Sequence, residues 1–293
     1  VGMDKLEAQL SYLDSINILS KKVDDWGISF DFSSINLKKS IYERIPQEAK
    51  LKSHLTASYI LEDKFNKENR ENRDELIFHM TKAMRYKEAI EYLMNSAEKM
   101  ISSNLTSQAI QFLLQSYNMF TAEDVSNEKM IVCSKLGKLL EHMGEYGKSM
   151  RFYNEAESLA GKANNLIMLI DIYIKRFSLS YRTDDKRGAI AYAVKAKRLL
   201  KSIPYTEGLY ELIISLNDIM LNKRKYNSYI RILENLMRTI DIEKHGCFYA
   251  RAMVTYGKII CSRNRYKEGL AMLMKGMDML EKLSEYRHIP NVL

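Results

Sequence analysis

Gly144-Glu145-Tyr146-Gly147-Lys148-Ser149 and Arg265-Tyr266-Lys267-Glu268-Gly269 are the stretches that decide the fold, because the chain keeps returning to them. Arg85-Tyr86-Lys87-Glu88-Ala89 nearly repeats the second. Tyr146 and Tyr226 lie 80 residues apart, Tyr226 and Tyr266 lie 40 apart, and Lys186 in Asp185-Lys186-Arg187-Gly188-Ala189 fills the vacant place between them. The period is 40 residues. Internal self-similarity on this scale is the mark of a repeat architecture.

Other positions keep the register. Three residues after the Tyr position stand Ser149, Ala189, Tyr229 and Gly269, and ten after it Ala156, Ala196, Leu236 and Gly276. Nine before it stand Gly137, Phe177, Asn217 and Gly257, and Ala97, Ala109 and Ser116 continue the register one period earlier. Small residues at fixed helical positions let antiparallel helices approach closely. With Leu136-Gly137 and Tyr256-Gly257 as large-small pairs, the pattern resembles the tetratricopeptide (TPR) repeat, whose usual period is about 34 residues. Helices about one turn longer are therefore expected, with looser packing where Phe177, Asn217 and Tyr229 replace small residues.

The composition agrees with an all-α chain. Three prolines and twelve glycines in 293 residues are too few for an all-β protein of this size. Helices are expected near 73–84, 86–102, 106–121, 127–143, 146–160, 163–182, 186–203, 206–222, 225–241, 246–263 and 266–284. The fold class is all-α, a right-handed superhelix of TPR-like pairs over 46–293. A small N-terminal segment of helix, β-hairpin and helix over 1–45 precedes it. No stretch approaches the eighteen or so apolar residues of a membrane span, so no membrane partner is expected. Cys133, Cys247 and Cys261 lack paired spacing and read as reduced thiols of a cytoplasmic protein. The net charge of +8 comes from basic residues interleaved with acids, so direct nucleic-acid binding is not expected.

The N-terminal segment departs from the repeat. Residues 4–16 read as a helix, and 18–23 and 28–32 as strands around Asp24-Asp25-Trp26-Gly27. Ile28, Phe30 and Phe32 alternate with Ser29 and Asp31 at the strand period. A helix follows from Ser34 to Ile45, capped by Ser33 or Ser34 and stopped by Pro46. The succession Phe30-Asp31-Phe32, Leu37, Ile41-Tyr42-Glu43-Arg44-Ile45-Pro46, His54-Leu55 and Tyr59-Ile60-Leu61-Glu62 resembles the segment after the ATPase module of STAND-type signalling ATPases. There a winged-helix piece leads into helical repeats. The family often has a His after the second wing strand, where this chain has Ser33 and Ser34. The resemblance implies a sensor module of a larger signal-transduction regulator, and the start at Val1-Gly2-Met3 reads as the edge of a fragment. Ile28, Phe30 and Phe32 are expected to promote self-association, to be tested by light scattering against a chain starting near Asn36.

No catalytic set, metal site or cofactor site emerges. Gly147-Lys148-Ser149 hints at a phosphate loop, but His142 occupies the place of the required first Gly and the context is helix–turn–helix. His54, His79, His142, His245 and His288 show no ligand spacing on a shared helix, and Trp26 reads as a packing residue of the hairpin turn. The resemblance instead points to the concave face, lined by the first helix of each pair. Counting from the small mid-helix position, its residues are Ser134, Lys138, Glu141, Asp171, Ser178, Tyr181, Glu211, Ile214, Asp218, Arg251, Val254 and Lys258. This mixture suits a protein or peptide partner, or a small inducer. The alternative is a free-standing TPR adaptor or peptide-pheromone receptor, although that class begins with a DNA-binding helix-turn-helix not found in residues 1–70.

Overall fold

The computed structural model describes residues 3–24, 27–68, 73–121, 123–216 and 226–283. Asp25, Trp26, Asn217, Asp218 and His288 lie outside them. Fourteen helices and one two-stranded sheet make up the described residues, which form two compact units, 1–88 and 89–293.

In the first unit, α1 (Met3–Ser15) leads through Asn17, at φ +58°, into β1 (Leu19–Asp24). This strand pairs antiparallel with β2 (Gly27–Phe32) in the register Leu19↔Phe32, Lys21↔Phe30, Val23↔Ile28. Alternation therefore places the apolar residues on one face and Ser20, Lys22, Ser29 and Asp31 on the other. Leu19 is buried, whereas Val23 and Ile28 near the turn are 72% and 61% exposed. Helix α2 (Ile35–Arg44) starts at Ser34, whose hydroxyl accepts the Leu37 N–H at 3.4 Å, and ends before Pro46 as expected. Helices α3 (Gln47–Glu68) and α4 (Arg73–Lys82) then pack together. Arg85 ties the turn after α4 to α3. Its guanidinium pairs with Glu62 at 2.9 Å, donates to the buried Ser58 hydroxyl at 3.1 Å and stacks on the Tyr59 ring at 4.3 Å.

The second unit is an antiparallel stack of α5 (Tyr86–Ser102), α6 (Thr106–Tyr117), α7 (Asn127–His142), α8 (Tyr146–Lys162), α9 (Leu166–Arg182), α10 (Lys186–Leu200), α11 (Thr206–Ser215), α12 (Tyr226–Thr239), α13 (Ile242–Cys261) and α14 (Tyr266–Lys282). The turns explain the repeat more simply than a 40-residue unit does. Met84, Asn104, Gly144, Asn164, Asp184 and Asn264 all have φ between +51° and +77°, and each stands two residues before a helix. Their numbers differ by multiples of about 20 residues, one helix and one turn. In each turn two amides reach back to the preceding helix. Gly144 N–H donates to Glu141 O and Glu145 N–H to Leu140 O, and the same pair recurs at Asn164–Asn165 and Asn264–Arg265. This is the Schellman arrangement, which satisfies the last carbonyls of a helix. Arg85-Tyr86 and Arg265-Tyr266 thus occupy equivalent places although 40 does not divide their separation.

Several helix limits differ from the sequence reading, among them the end of α6 at Tyr117 and the start of α9 at Leu166, while 217–222 of the expected helix 206–222 lie outside the described residues. Three of the differences have visible reasons. Helix α10 ends at Leu200, ahead of Pro204. Helix α11 ends at Ser215, where the Tyr229 hydroxyl donates to the terminal carbonyls of Ile213 and Ile214 at 2.7 and 3.3 Å. Helix α13 begins at Ile242 rather than 246, because the Asp241 carboxylate accepts the Glu243 and Lys244 amides; its backbone then kinks at His245.

Packing follows the small positions. The Ser149 hydroxyl donates to Gly137 O at 2.7 Å, and the Tyr153 ring lies where a Cβ of residue 137 would stand. In α13–α14, a Cβ on Gly257 would meet Gly269 O at 2.8 Å, and one on Gly276 would meet Ala250 O at 2.9 Å. Phe177 and Tyr229, the bulky substitutes, are themselves fully buried. The core is a run of small clusters between neighbouring helices, such as Leu113, Val132 and Leu136, then Met130, Cys133, Ala156 and Ile172, then Ile170, Ile174, Ala196 and Leu212. Each leucine or isoleucine so buried contributes about 1.5–3 kcal/mol, and stability accumulates from neighbour to neighbour.

Candidate functional site

The odd-numbered helices α7, α9, α11 and α13 together line a cavity of about 450 Å3. Helix α7 supplies Lys138, Glu141 and His142, and α9 supplies Asp171, Ile174, Lys175, Ser178 and Arg182. Glu207, Glu211 and Ser215 come from α11, and Cys247, Phe248 and Arg251 from α13. Tyr153 of α8 and Tyr205, just ahead of α11, complete the wall. Four cations, Lys138, Lys175, Arg182 and Arg251, face four anions, Glu141, Asp171, Glu207 and Glu211.

Several of these charges are paired within the wall. Arg251 holds Glu211 through both guanidinium nitrogens, one of them at 2.9 Å from Oε1. Glu141, buried, takes the Tyr153 hydroxyl at 3.2 Å and lies 3.4 Å from Arg182 Nε. Burial still raises the Glu141 pKa, against the opposing pull of Arg182, Tyr153, Lys138 and Ser178. Asp171 accepts the Tyr205 hydroxyl at 3.0 Å, and burial raises its pKa too. Lys175 Nζ donates to Ser134 Oγ at 2.5 Å, and burial lowers its pKa. Desolvation in the recess, and then the cations Lys138 and Arg182, hold the His142 imidazole below its ordinary range.

The structure brings together Lys138, Glu141, Asp171, Ser178, Glu211 and Arg251 of the sequence-predicted set. Ser134 is buried behind the wall as the partner of Lys175. Tyr181 and Lys258 are half-buried and do not line the cavity. Ile214 and Val254 are buried in core clusters, one with Tyr229 and the other with Leu280, because the inward stripe is narrower than a count from one position implies. Asp218 lies outside the described residues. Sequence reasoning missed Lys175 and Arg182, which follow Asp171 and Ser178 by one helical turn each; that spacing was the available signal. Tyr205 had none, since it stands in a turn. A second recess of about 310 Å3 shares Lys138 and His142 with the first and includes the Lys135–Glu98 ion pair in its lining. Among the described residues no cluster of three or more His, Cys, Asp or Glu could hold a metal ion.

One pairing outside the cavity escaped the sequence reading. His54 of α3 and His79 of α4, 25 positions apart, share an Nδ1···Nδ1 hydrogen bond of 2.9 Å, and His54 Nε2 bonds to the Tyr42 hydroxyl at 2.9 Å. A search along single helices could not find a contact made between helices.

No family model matches the chain, and no curated protein matches it in sequence. Solved structures do resemble it. BtubC from P. vanneervenii is 10% identical, with a TM-score of 0.51 over 83% of this chain and 94% of that one. A STAND protein with a tetratricopeptide repeat sensor from Pyrococcus horikoshii is 13% identical, with a TM-score of 0.50 over 97% of this chain and 47% of that one. A Rap protein complexed with competence and sporulation factor is 12% identical, with a TM-score of 0.51 over 85% of this chain and 80% of that one. The likeness defines the fold class: this is a TPR-like helical-repeat protein. Among the described residues no helix is long and apolar enough to cross a membrane.

Proposed function

We propose that the chain is a non-catalytic binding module that takes a protein or peptide partner, or a small inducer, on the concave face of α7, α9, α11 and α13. The observation that carries this is the charge-balanced cavity: four successive inward helices aim polar groups at one space of about 450 Å3. Balanced charges of both signs suit a polar, peptide-like surface better than a uniformly charged polymer. The similar Rap protein was solved in complex with competence and sporulation factor.

In the finer reading the module is the sensor of a cytoplasmic STAND-type regulator, with residues 1–45 as the end of its winged-helix segment. The helix–hairpin–helix order of α1, β1, β2 and α2 supports this. So does the likeness to the STAND protein, of whose length this chain spans about half. The second reading, a free-standing peptide receptor, is favoured by the Rap likeness alone. Two experiments decide. Panning a random peptide library on the full chain, with an Arg251→Glu variant as counter-selection, should enrich peptides on the parent only. Equal enrichment on both rejects the concave face as the peptide site, and no enrichment removes the peptide partner and leaves the small inducer. Sequencing upstream of Val1 should reveal a phosphate-loop module; an initiating codon at Met3 with nothing before it leaves the free-standing receptor.

A further inference from the structure

Among the described residues, two opposite charges of the cavity enter no close ion pair, although each is the other's strongest electrostatic counterweight. Asp171 and Lys175 stand one turn apart on α9, and both line the space. Among the described residues, Lys175 Nζ donates to the neutral Ser134 hydroxyl, and Asp171 Oδ1 accepts from the Tyr205 hydroxyl. Arg251 and Arg182, in the same wall, meet the carboxylates of Glu211 and Glu141. Holding a charge away from water is costly, and both groups shift toward their neutral forms because their mutual attraction reduces that cost without cancelling it. The two groups attract each other across one helical turn without closing into a hydrogen-bonded pair. An ammonium keeps donors and a carboxylate keeps an oxygen for something else in the cavity.

A ligand with one charge would relieve one of these groups and leave the other. A ligand with a carboxylate and an ammonium a few atoms apart relieves both. We infer that the cavity binds a zwitterionic α-amino acid, its carboxylate on Lys175 Nζ and its ammonium on Asp171. The Phe248 ring and Ile174 in the same wall offer apolar surface to its side chain. The volume lies at the lower end of small-ligand sites, about 300–1,000 Å3. This inference rests on the concave-face reading and narrows it to the small-inducer class.

The test is thermal unfolding of the full chain with each of the twenty common amino acids, and with their deaminated acids and decarboxylated amines. At least one amino acid should raise the melting temperature, and its two single-charge analogues should not. By titration calorimetry, Lys175→Met and Asp171→Asn should each weaken that amino acid by about tenfold or more. Without ligand, Lys175→Met should melt no lower than the parent, since it removes a desolvated charge; Lys175→Gln replaces it if the methionine variant melts lower. No response to any amino acid overturns the inference, as does binding that a deaminated acid reproduces or that neither substitution weakens. Peptide panning on the same protein separates the two levels. Peptide enrichment without an amino-acid response sinks only the amino acid, whereas silence in both assays sinks the concave face as well.

Discussion

Gly257 shows how much one side-chain atom weighs in this fold. Its Cα faces the Gly269 carbonyl and the Leu273 backbone, and an added Cβ would stand 2.8 Å from that carbonyl oxygen. Backbone cannot swing aside as a side chain can, so α13 and α14 would have to separate. Gly257→Ala should destabilise the chain by about 1–3 kcal/mol in urea unfolding, despite the better helix propensity of Ala. Gly147, with nothing near its Cβ position, should tolerate the same change. The His54–His79 pair belongs to this scale too. Two neutral imidazoles can bond through Nδ1 only if one donates and the other accepts; protonating both sets two donors face to face. The groups around His54 are Tyr42 of α2, His79 and Lys82 of α4 and the Phe78 ring, and none is a carboxylate. Burial, then His79 and Lys82, lowers the His54 pKa from 6.5. A lowered histidine pKa means that the unfolded chain binds the proton more readily, so stability is full above pH 6.5 and declines as pH falls toward the folded value. Melting of the parent should drop with acidification through this window, and His54→Phe should drop less. Equal slopes would exclude the pair as the source.

Among the elements, the recurrent Schellman turn matters most. Five of its six αL positions in the repeat carry Asn, Asp or Gly, residues that accept φ near +60°. Met84 is the exception, at φ +60°, with an exposed side chain that gains nothing from burial there. Met84→Gly should therefore raise the urea midpoint, by about 1 kcal/mol of relieved strain. A lower midpoint would mean that the Met84 side chain makes up for its backbone. The hairpin of β1 and β2 poses the opposite problem. Two strands are marginal alone, and Val23 and Ile28, cross-strand partners, are exposed with Ile35 also exposed nearby in sequence. The chain should self-associate through this apolar surface as concentration rises. In light scattering, the double substitution Val23→Lys and Ile28→Thr should lower the apparent mass. An unchanged mass would place any association elsewhere.

For the whole molecule, the repeat was legible because each helix must present small residues to its neighbour at one register. Gly137, Ala156, Ala189, Ala196, Gly257 and Gly276 therefore mark the packing faces in the linear sequence. Six of the sixteen residues lining the candidate site were legible for the same reason: a fixed register points Lys138, Asp171, Glu211 and Arg251 the same way. The rest was not. Lys175 carried a spacing signal, but its partner Ser134 lies 41 positions away, and Tyr205, in a turn, meets Asp171 from 34 away. Helix α11 stopped at Ser215 because a tyrosine from α12 took its carbonyls. By itself the sequence determined an all-helical array, its turn chemistry and the presence of a short N-terminal hairpin, since these depend on local periodicity and backbone preference. Tertiary structure decided which charges meet and which stay apart, because ion pairing and desolvation arise between helices brought together only by folding.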